Sequence, residues 1–345
     1  METNGRVLVG VGKIKHISEG VEYEYEAKGG LRSMLWEHMI QHSIRPDFSE
    51  GFLLPFQEAM EYAENHQEFN PTELAVIAPE ETQLEFSYAT EQVSNDSAIR
   101  LLLDCVKSLE RAKALGIGNQ EWELQIRWVH DRINELEKIR GNYPGLGAAL
   151  CAFGLEKGHF IARHIAEQVV NNNEWELVDI LFRQPEKIVP QNLANTISPM
   201  LKKRWEMLQK KGHNGKLPLL QLLSRFDLTI EQATILFVEE ERESLEIVIS
   251  DEKLINNPYL LYEMSGKLDE PIGFWTIDFG LYPKLPTSLL PTMVKIDDPL
   301  DPKRIRALTY LLLEKAAQQG HTVLQQKECV RQIRDMPLSR VNIVK

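Results

Sequence analysis

The chain has 345 residues, enough for two or three domains with sizeable cores, and its 43% hydrophobic and 26% charged residues are ordinary for a folded globular protein. A formal net charge of −12 excludes a generally basic nucleic-acid binder, so any grip on phosphates has to come from local clusters of Lys and Arg. No apolar run reaches the ~18 residues of a membrane span, the start METNGRVLVGVGKIKH lacks a signal-peptide layout, and Cys105, Cys151 and Cys329 make neither a disulfide framework nor a CxxC zinc pair, so a reducing, cytoplasmic setting without a membrane is expected.

Residues 1–30 read as a small antiparallel β unit that could pack on the next section. VLVGVGKIKHI alternates around Gly10 and Gly12, GVEYEYEA puts Val21, Tyr23 and Tyr25 on one face, and Gly29-Gly30 ends the unit. The Gly-Val-Gly pair lacks the full spacing of a phosphate loop. Residues 31–140 read as a helical domain with one short buried strand in LAVIAP. A proline, Pro55, precedes the helical pattern FQEAMEYAENH. SNDSAIRLLLDCVKSLERAKALG predicts a long helix, with Ser94, Asn95 and Asp96 as cap candidates, apolar positions at 99, 102, 103, 106 and 109, and Gly116 as its stop. NQEWELQIRWVHDRINELEKIRG predicts a second. In this region Glu37, His38 and His42 form EHxxxH, which could put two histidines on one helix face, and Asp47, Glu80, Glu81 and Glu85 could in principle hold magnesium. With no third ligand for the histidines and no D…ExK spacing, no metal or catalytic residue is assigned.

Residues 141–216 form a further helical section. PGLGAAL has the look of a hairpin turn: Gly145 and Gly147 allow a tight bend, and the NH groups of the following helix could hold a phosphate, although glycines and Pro144 also suit an ordinary loop before a helix. Lys157 follows in the same segment as a candidate contact. ISPMLKKRWEMLQKKGHNGK then carries Lys202, Lys203, Arg204, Lys210, Lys211 and Lys216 against Glu206. This basic helix with Trp205 inside it reads either as a phosphate-contacting face with an aromatic for stacking, or as a solvated face whose tryptophan is core.

Residues 217–345 hold three signals in order. LPLLQLLSRFDLTIEQATILF predicts a helix pair with Thr229 as the N-cap of the second helix. In NPYLLYEM, Asn257 can cap a helix whose first turn Pro258 fills. EPIGFWTIDFG follows, and last DPKRIRALTYLLLEKAAQQGHTVL, started by Asp301-Pro302, buried through Ile305, Leu308, Leu311 and Leu312, and stopped by Gly320. Lys303, Arg304 and Arg306, with Arg331, Arg334 and Arg340 beyond them, make this end locally basic.

This order over 217–324 resembles the region ahead of the motor in RecD-like superfamily 1 DNA helicases, the exonuclease V alpha-subunit type. The second hairpin of that family has two glycines around an apolar residue, then Phe, then Asp; Ile272, Gly273, Phe274 and Asp278 are kept here, while Pro271 replaces the first glycine and Asp227 stands where the first hairpin has a glycine. The resemblance implies a mainly α chain: a small N-terminal β unit followed by helical domains with helix-hairpin-helix-like units. It implies a DNA-binding and positioning module that touches backbone without sequence specificity, on single strands or duplex ends. The candidate contacts are Gly145, Gly147, Lys157, Lys202, Lys203, Arg204, Lys210, Lys211, Gly273, Lys303, Arg304 and Arg306. There is no GxxxxGK[ST] loop, so ATPase activity would need a further domain or partner, and ATP and magnesium enter only with such a motor. Either the chain is the N-terminal piece of a larger helicase or a stand-alone relative. The alternatives are an interaction scaffold for a helicase or nuclease partner, and a metal-dependent nuclease.

Overall fold

A computed structural model describes residues 8–9, 56–70, 74, 76–77, 95–117, 122–169, 174–210, 216–282, 300–318 and 320–336. The described part is mainly helical. The chain divides into two compact units, 1–140 and 141–345.

In the first unit, strand β1 (Leu8–Val9) pairs antiparallel with β2 (Val76–Ile77), Leu8 opposite Ile77 and Val9 opposite Val76. The rest of the expected 1–30 β unit, the EHxxxH segment and Asp47, Glu80, Glu81 and Glu85 lie outside the described residues. After α1 (Phe56–Asn65), the unit is built on two long packed helices, α2 (Asn95–Leu115) and α3 (Trp122–Arg140). Ile99, Leu102, Cys105, Val106, Leu109 and Ala112 form the buried stripe of α2, and Val129, Ile133 and Leu136 that of α3, the three-to-four-residue recurrence of an amphipathic helix. Gly116, at φ +67, turns the chain out of α2 in the left-handed conformation a glycine adopts without strain. Asp96 is buried and ion-paired with Arg140, so the start of α2 is locked to the end of α3.

The second unit begins with α4 (Leu146–Phe153), α5 (Gly158–Gln168) and α6 (Glu174–Arg183), continues through the short α7 (Gln191–Ala194) to α8 (Pro199–Gln209), and then through α9 (Lys216–Leu223), α10 (Ile230–Phe237) and α11 (Glu239–Ser244). It ends with α12 (Asp251–Asn256), α13 (Leu260–Glu263), α14 (Phe274–Leu281), α15 (Pro302–Gln318) and α16 (Gln326–Asp335). Helix α4 is its axis. Leu146 to Leu150 are all buried, as are Ala152 and Phe153, and α5, α9 and α10 pack around them. A helix buried on every side needs small residues where neighbours approach. A side chain on Gly145 would strike the carbonyl oxygen of Phe226, and one on Gly147 would strike His159.

Local capping explains the breaks. Thr229 Oγ1 accepts from Gln232 N–H at 3.1 Å while the Gln232 side chain accepts from Thr229 N–H at 2.9 Å, a complete capping box at the start of α10. Asp301 Oδ1 accepts from Lys303 N–H at 2.8 Å at the start of α15. Asp227, in the place of the family's glycine, is not left-handed; among the described residues the non-glycine with positive φ is Glu246. One expectation is revised. Asn257 works through its backbone, its carbonyl accepting from Leu260 N–H at 3.1 Å, so Asn257-Pro258-Tyr259 is the turn between α12 and α13 and not a side-chain cap.

Candidate nucleic-acid interface

The turn between α4 and α5 is fixed at both ends. Gly154, at φ +117, closes α4, with Gly154 N–H donating to Cys151 O and Leu155 N–H to Leu150 O, both at 2.9 Å. Gly158 opens α5 so close to α4 that a Cβ there would press on the Gly147 carbonyl and on Cys151. Lys157, the N-cap residue of α5, is exposed.

Helix α8 lies against this turn. Ser198 caps it, accepting from Leu201 N–H at 3.2 Å, and Pro199 fills its first position. Arg204 reaches back to donate to the Phe153 carbonyl at 2.9 Å, with its guanidinium 5.0 Å from the centre of the Phe153 ring. One side chain thus satisfies a helix-end carbonyl and ties α8 to the α4–α5 turn. The inner face of α8 is anchored by Trp205, which is 2% exposed, stacks on Phe182 at 4.5 Å, lies edge-on to Phe153 at 5.7 Å, and donates to Asp179 at 3.2 Å. The outer face carries exposed Lys203 and Lys210, with Lys202 half-buried. Among the described residues no acid lies within ion-pair distance of Lys157, Lys202, Lys203 or Lys210. Glu156 and Glu206 are the exposed acids on the same turn and helix.

The second basic cluster is arranged in the opposite way. Arg304 is 1% exposed and donates twice to Asp278, at 2.7 Å to each carboxylate oxygen, while Tyr259 O–H donates to the same carboxylate at 2.7 Å and the Tyr282 ring lies 4.5 Å from the guanidinium. Burial works against the Arg304 charge, but Asp278 more than offsets it, so the guanidinium stays firmly protonated. Burial, reinforced by the Asp278 charge, pushes the Tyr259 hydroxyl well up. Lys303 donates to the Asn256 carbonyl at 2.8 Å, and Arg306, exposed itself, pairs with Glu263 at 2.7 Å. Lys216 is likewise engaged, donating to Phe237 O at 2.9 Å and pairing with Asp251 at 3.1 Å.

The sequence-predicted contacts therefore separate. Lys157, Lys202, Lys203 and Lys210 present charge outward, and Arg204 joins their two elements. Lys211 lies outside the described residues. Gly145 and Gly147 are buried, and Gly145 N–H donates to Ser224 O at 3.0 Å; they act as close-packing positions and not as an open phosphate turn. Gly273 is exposed at the N-cap of α14 with open space around it, but Asp269 and Glu270 are exposed close by in sequence. Arg304 belongs to the core, and Lys303 and Arg306 to contacts within the protein. Trp205 is core, so it offers no face for stacking. Composition alone hid one residue on this part of the molecule: Phe160 on α5, 66% exposed. Its signal was positional, since it falls off the buried stripe of Gly158, Ile161 and Ile165.

No group of three or more His, Cys, Asp or Glu side chains suited to a metal ion is present among the described residues. No helix there is long and apolar enough to cross a membrane.

No family model matches the chain, and no solved structure does. It is similar to the Uncharacterized protein MJ1519 of Methanocaldococcus jannaschii, with 21% identity over 94% of this chain. The chain spans 28% of that protein's length.

Proposed function

We propose that the unit from Gly141 onward is a DNA-binding and positioning module of the RecD-like helicase kind, contacting nucleic-acid backbone without sequence specificity. One observation carries the reading: in a chain of net charge −12, Lys157, Lys202, Lys203 and Lys210 have no acidic partner among the described residues and lie on two elements that Arg204 holds together. An unneutralised lysine cluster displaces counterions from phosphate and supplies affinity that reads no base edges. The tight α4–α5 turn, with Lys157 at the head of α5, is the helix-hairpin-helix-like element of this reading. The remaining length of a motor-bearing protein, its ATP and its magnesium belong to the same proposal.

The test is fluorescence anisotropy of the full chain with labelled single-stranded and duplex DNA over a salt series. Binding should tighten at low salt. The triple change Lys202→Glu, Lys203→Glu, Lys210→Glu should flatten the log–log slope by roughly 0.7–0.9 for each phosphate no longer neutralised, about 2 to 3 in all. No binding to either DNA at low salt would refute the reading.

A second reading, an interaction scaffold for a motor or nuclease partner, is favoured by α15. Leu300, Pro302, Ile305, Thr309, Tyr310 and Leu313 line an open, mostly apolar groove of about 630 Å³, and Leu300, Tyr310 and Leu313 are exposed. Absence of DNA binding together with a measurable complex with a helicase or nuclease subunit would favour it.

A further inference from the structure

An exposed aromatic needs no explanation on its own, because single apolar residues are common on protein surfaces. Phe160 is set apart by its surroundings. It lies three residues beyond Lys157, and the turn preceding both is the one that Arg204 clasps from α8. From Gly154, which closes α4, to Phe160 is six residues, a span of at most about 20 Å even for extended chain. The bend and the first turn of α5 make it shorter. Phe160 therefore lies within about 20 Å of the point where α8 clasps the turn.

The other large aromatics of this part have been used by the fold. Trp205, Phe153 and Phe182 are buried against one another, and Trp175 lies 6.4 Å from Trp205 in a parallel stack. None of the three buried rings has a face open to a ligand. On α5 Gly158, Ile161 and Ile165 turn inward and are buried, while exposed His159 lies against Gly147. Phe160 is 66% exposed, three residues along α5 from exposed Lys157.

Two ligand chemistries fit a flat apolar ring beside lysines: a nucleobase attached to phosphates, or an acidic apolar peptide. A base offers a π-face to the ring while the phosphates on either side of it meet the lysines. In duplex DNA the bases are already stacked on one another and cannot do so. We infer that Phe160 is a base-stacking residue and that this surface takes single-stranded DNA in preference to duplex, phosphates on Lys157, Lys202, Lys203 and Lys210 and a base on the Phe160 ring. The inference deepens the proposed function and rests on it.

The experiment compares labelled oligothymidylate, an oligomer of the same length made of abasic sites, and a blunt duplex, each titrated with the full chain and its Phe160→Ala and Phe160→Tyr variants. Wild type should prefer oligothymidylate to both other probes. Phe160→Ala should weaken oligothymidylate binding about fivefold or more, the lower end of what one stacked base contributes. It should leave the abasic oligomer and the salt slope unchanged, and Phe160→Tyr should bind like wild type. Equal weakening on the thymidylate and abasic probes, or no change on either, overturns the stacking role while salt-dependent binding keeps the proposed function intact. Binding to none of the three probes at low salt removes both. Selective capture of an acidic apolar peptide by wild type and not by Phe160→Ala, without discrimination between the two single-stranded probes, assigns the ring to a protein partner instead and overturns the inference.

Discussion

Two basic segments of this chain look alike in sequence and differ in what their charges do. Lys202, Lys203 and Arg204 on α8 with Lys210 at its C-cap, and Lys303, Arg304 and Arg306 at the start of α15, are both short runs of Lys and Arg along a helix. In α8 the core anchor is an aromatic, Trp205, and most of the cations are left facing water. In α15 a cation is itself the anchor: Arg304 sits in the core on Asp278, with Lys303 and Arg306 attached to α12 and α13. A charge run marks a ligand surface only where the fold has not already supplied its counter-charges, and what decides that is the position of acids far away in sequence.

The largest effect should come from breaking the buried pair. Arg304→Ala leaves the buried Asp278 carboxylate and Tyr259 hydroxyl without their cation. A loss of about 3–5 kcal/mol in unfolding free energy is expected, read from the midpoint of chemical denaturation. Lys203→Ala should stay within about 0.5 kcal/mol of wild type. Similar losses for the two variants would erase the distinction between the segments. Next comes Gly145→Ala. The added methyl meets the Phe226 carbonyl oxygen, and forcing α4 from its neighbours should destabilise by about 1–3 kcal/mol, read as a fall in melting temperature. If Gly145→Ala instead kept its stability and lost DNA affinity, the glycine would be a contact residue after all. The smallest effect belongs to Arg306→Ala. Its pair with Glu263 has an exposed cation, so about 0–1 kcal/mol is expected, and the salt slope of DNA binding should not change. A flatter slope would move the second segment into the interface.

Much of the local architecture could be read along the chain. The stripe of α2, the Thr229 capping box, Asp301-Pro302 at the head of α15, and the glycine stops at Gly116 and Gly320 depend on residues within a turn or two of each other, whereas α15 buries Arg304, Ala307, Leu308, Leu312 and Ala316 and leaves the expected Ile305 and Leu311 half-buried. Backbone sterics and hydrogen-bond reach act over that distance, so they leave a readable mark. The readings that changed concern residues whose partners are remote. Gly145 and Gly147 have the spacing of a tight turn, yet their lack of a side chain answers Phe226 and His159. Asp278 and Arg304 are 26 positions apart and Tyr259 lies 19 before Asp278, so nothing local says that Asn-Pro-Tyr, the aspartate of the glycine-phenylalanine segment and the arginine of α15 share one network.

The amino-acid order was enough for a mainly helical chain, its helix ends, and the placement of basic residues on α8, because helix propensity, capping and periodicity are short-range and add up within one element. Which cations face solvent, which are neutralised in the core, and that Phe160 is exposed while Trp205 is buried followed from packing. A side chain's surroundings are set by elements that meet only when the chain folds, and burial and long-range ion pairing have no period along the sequence.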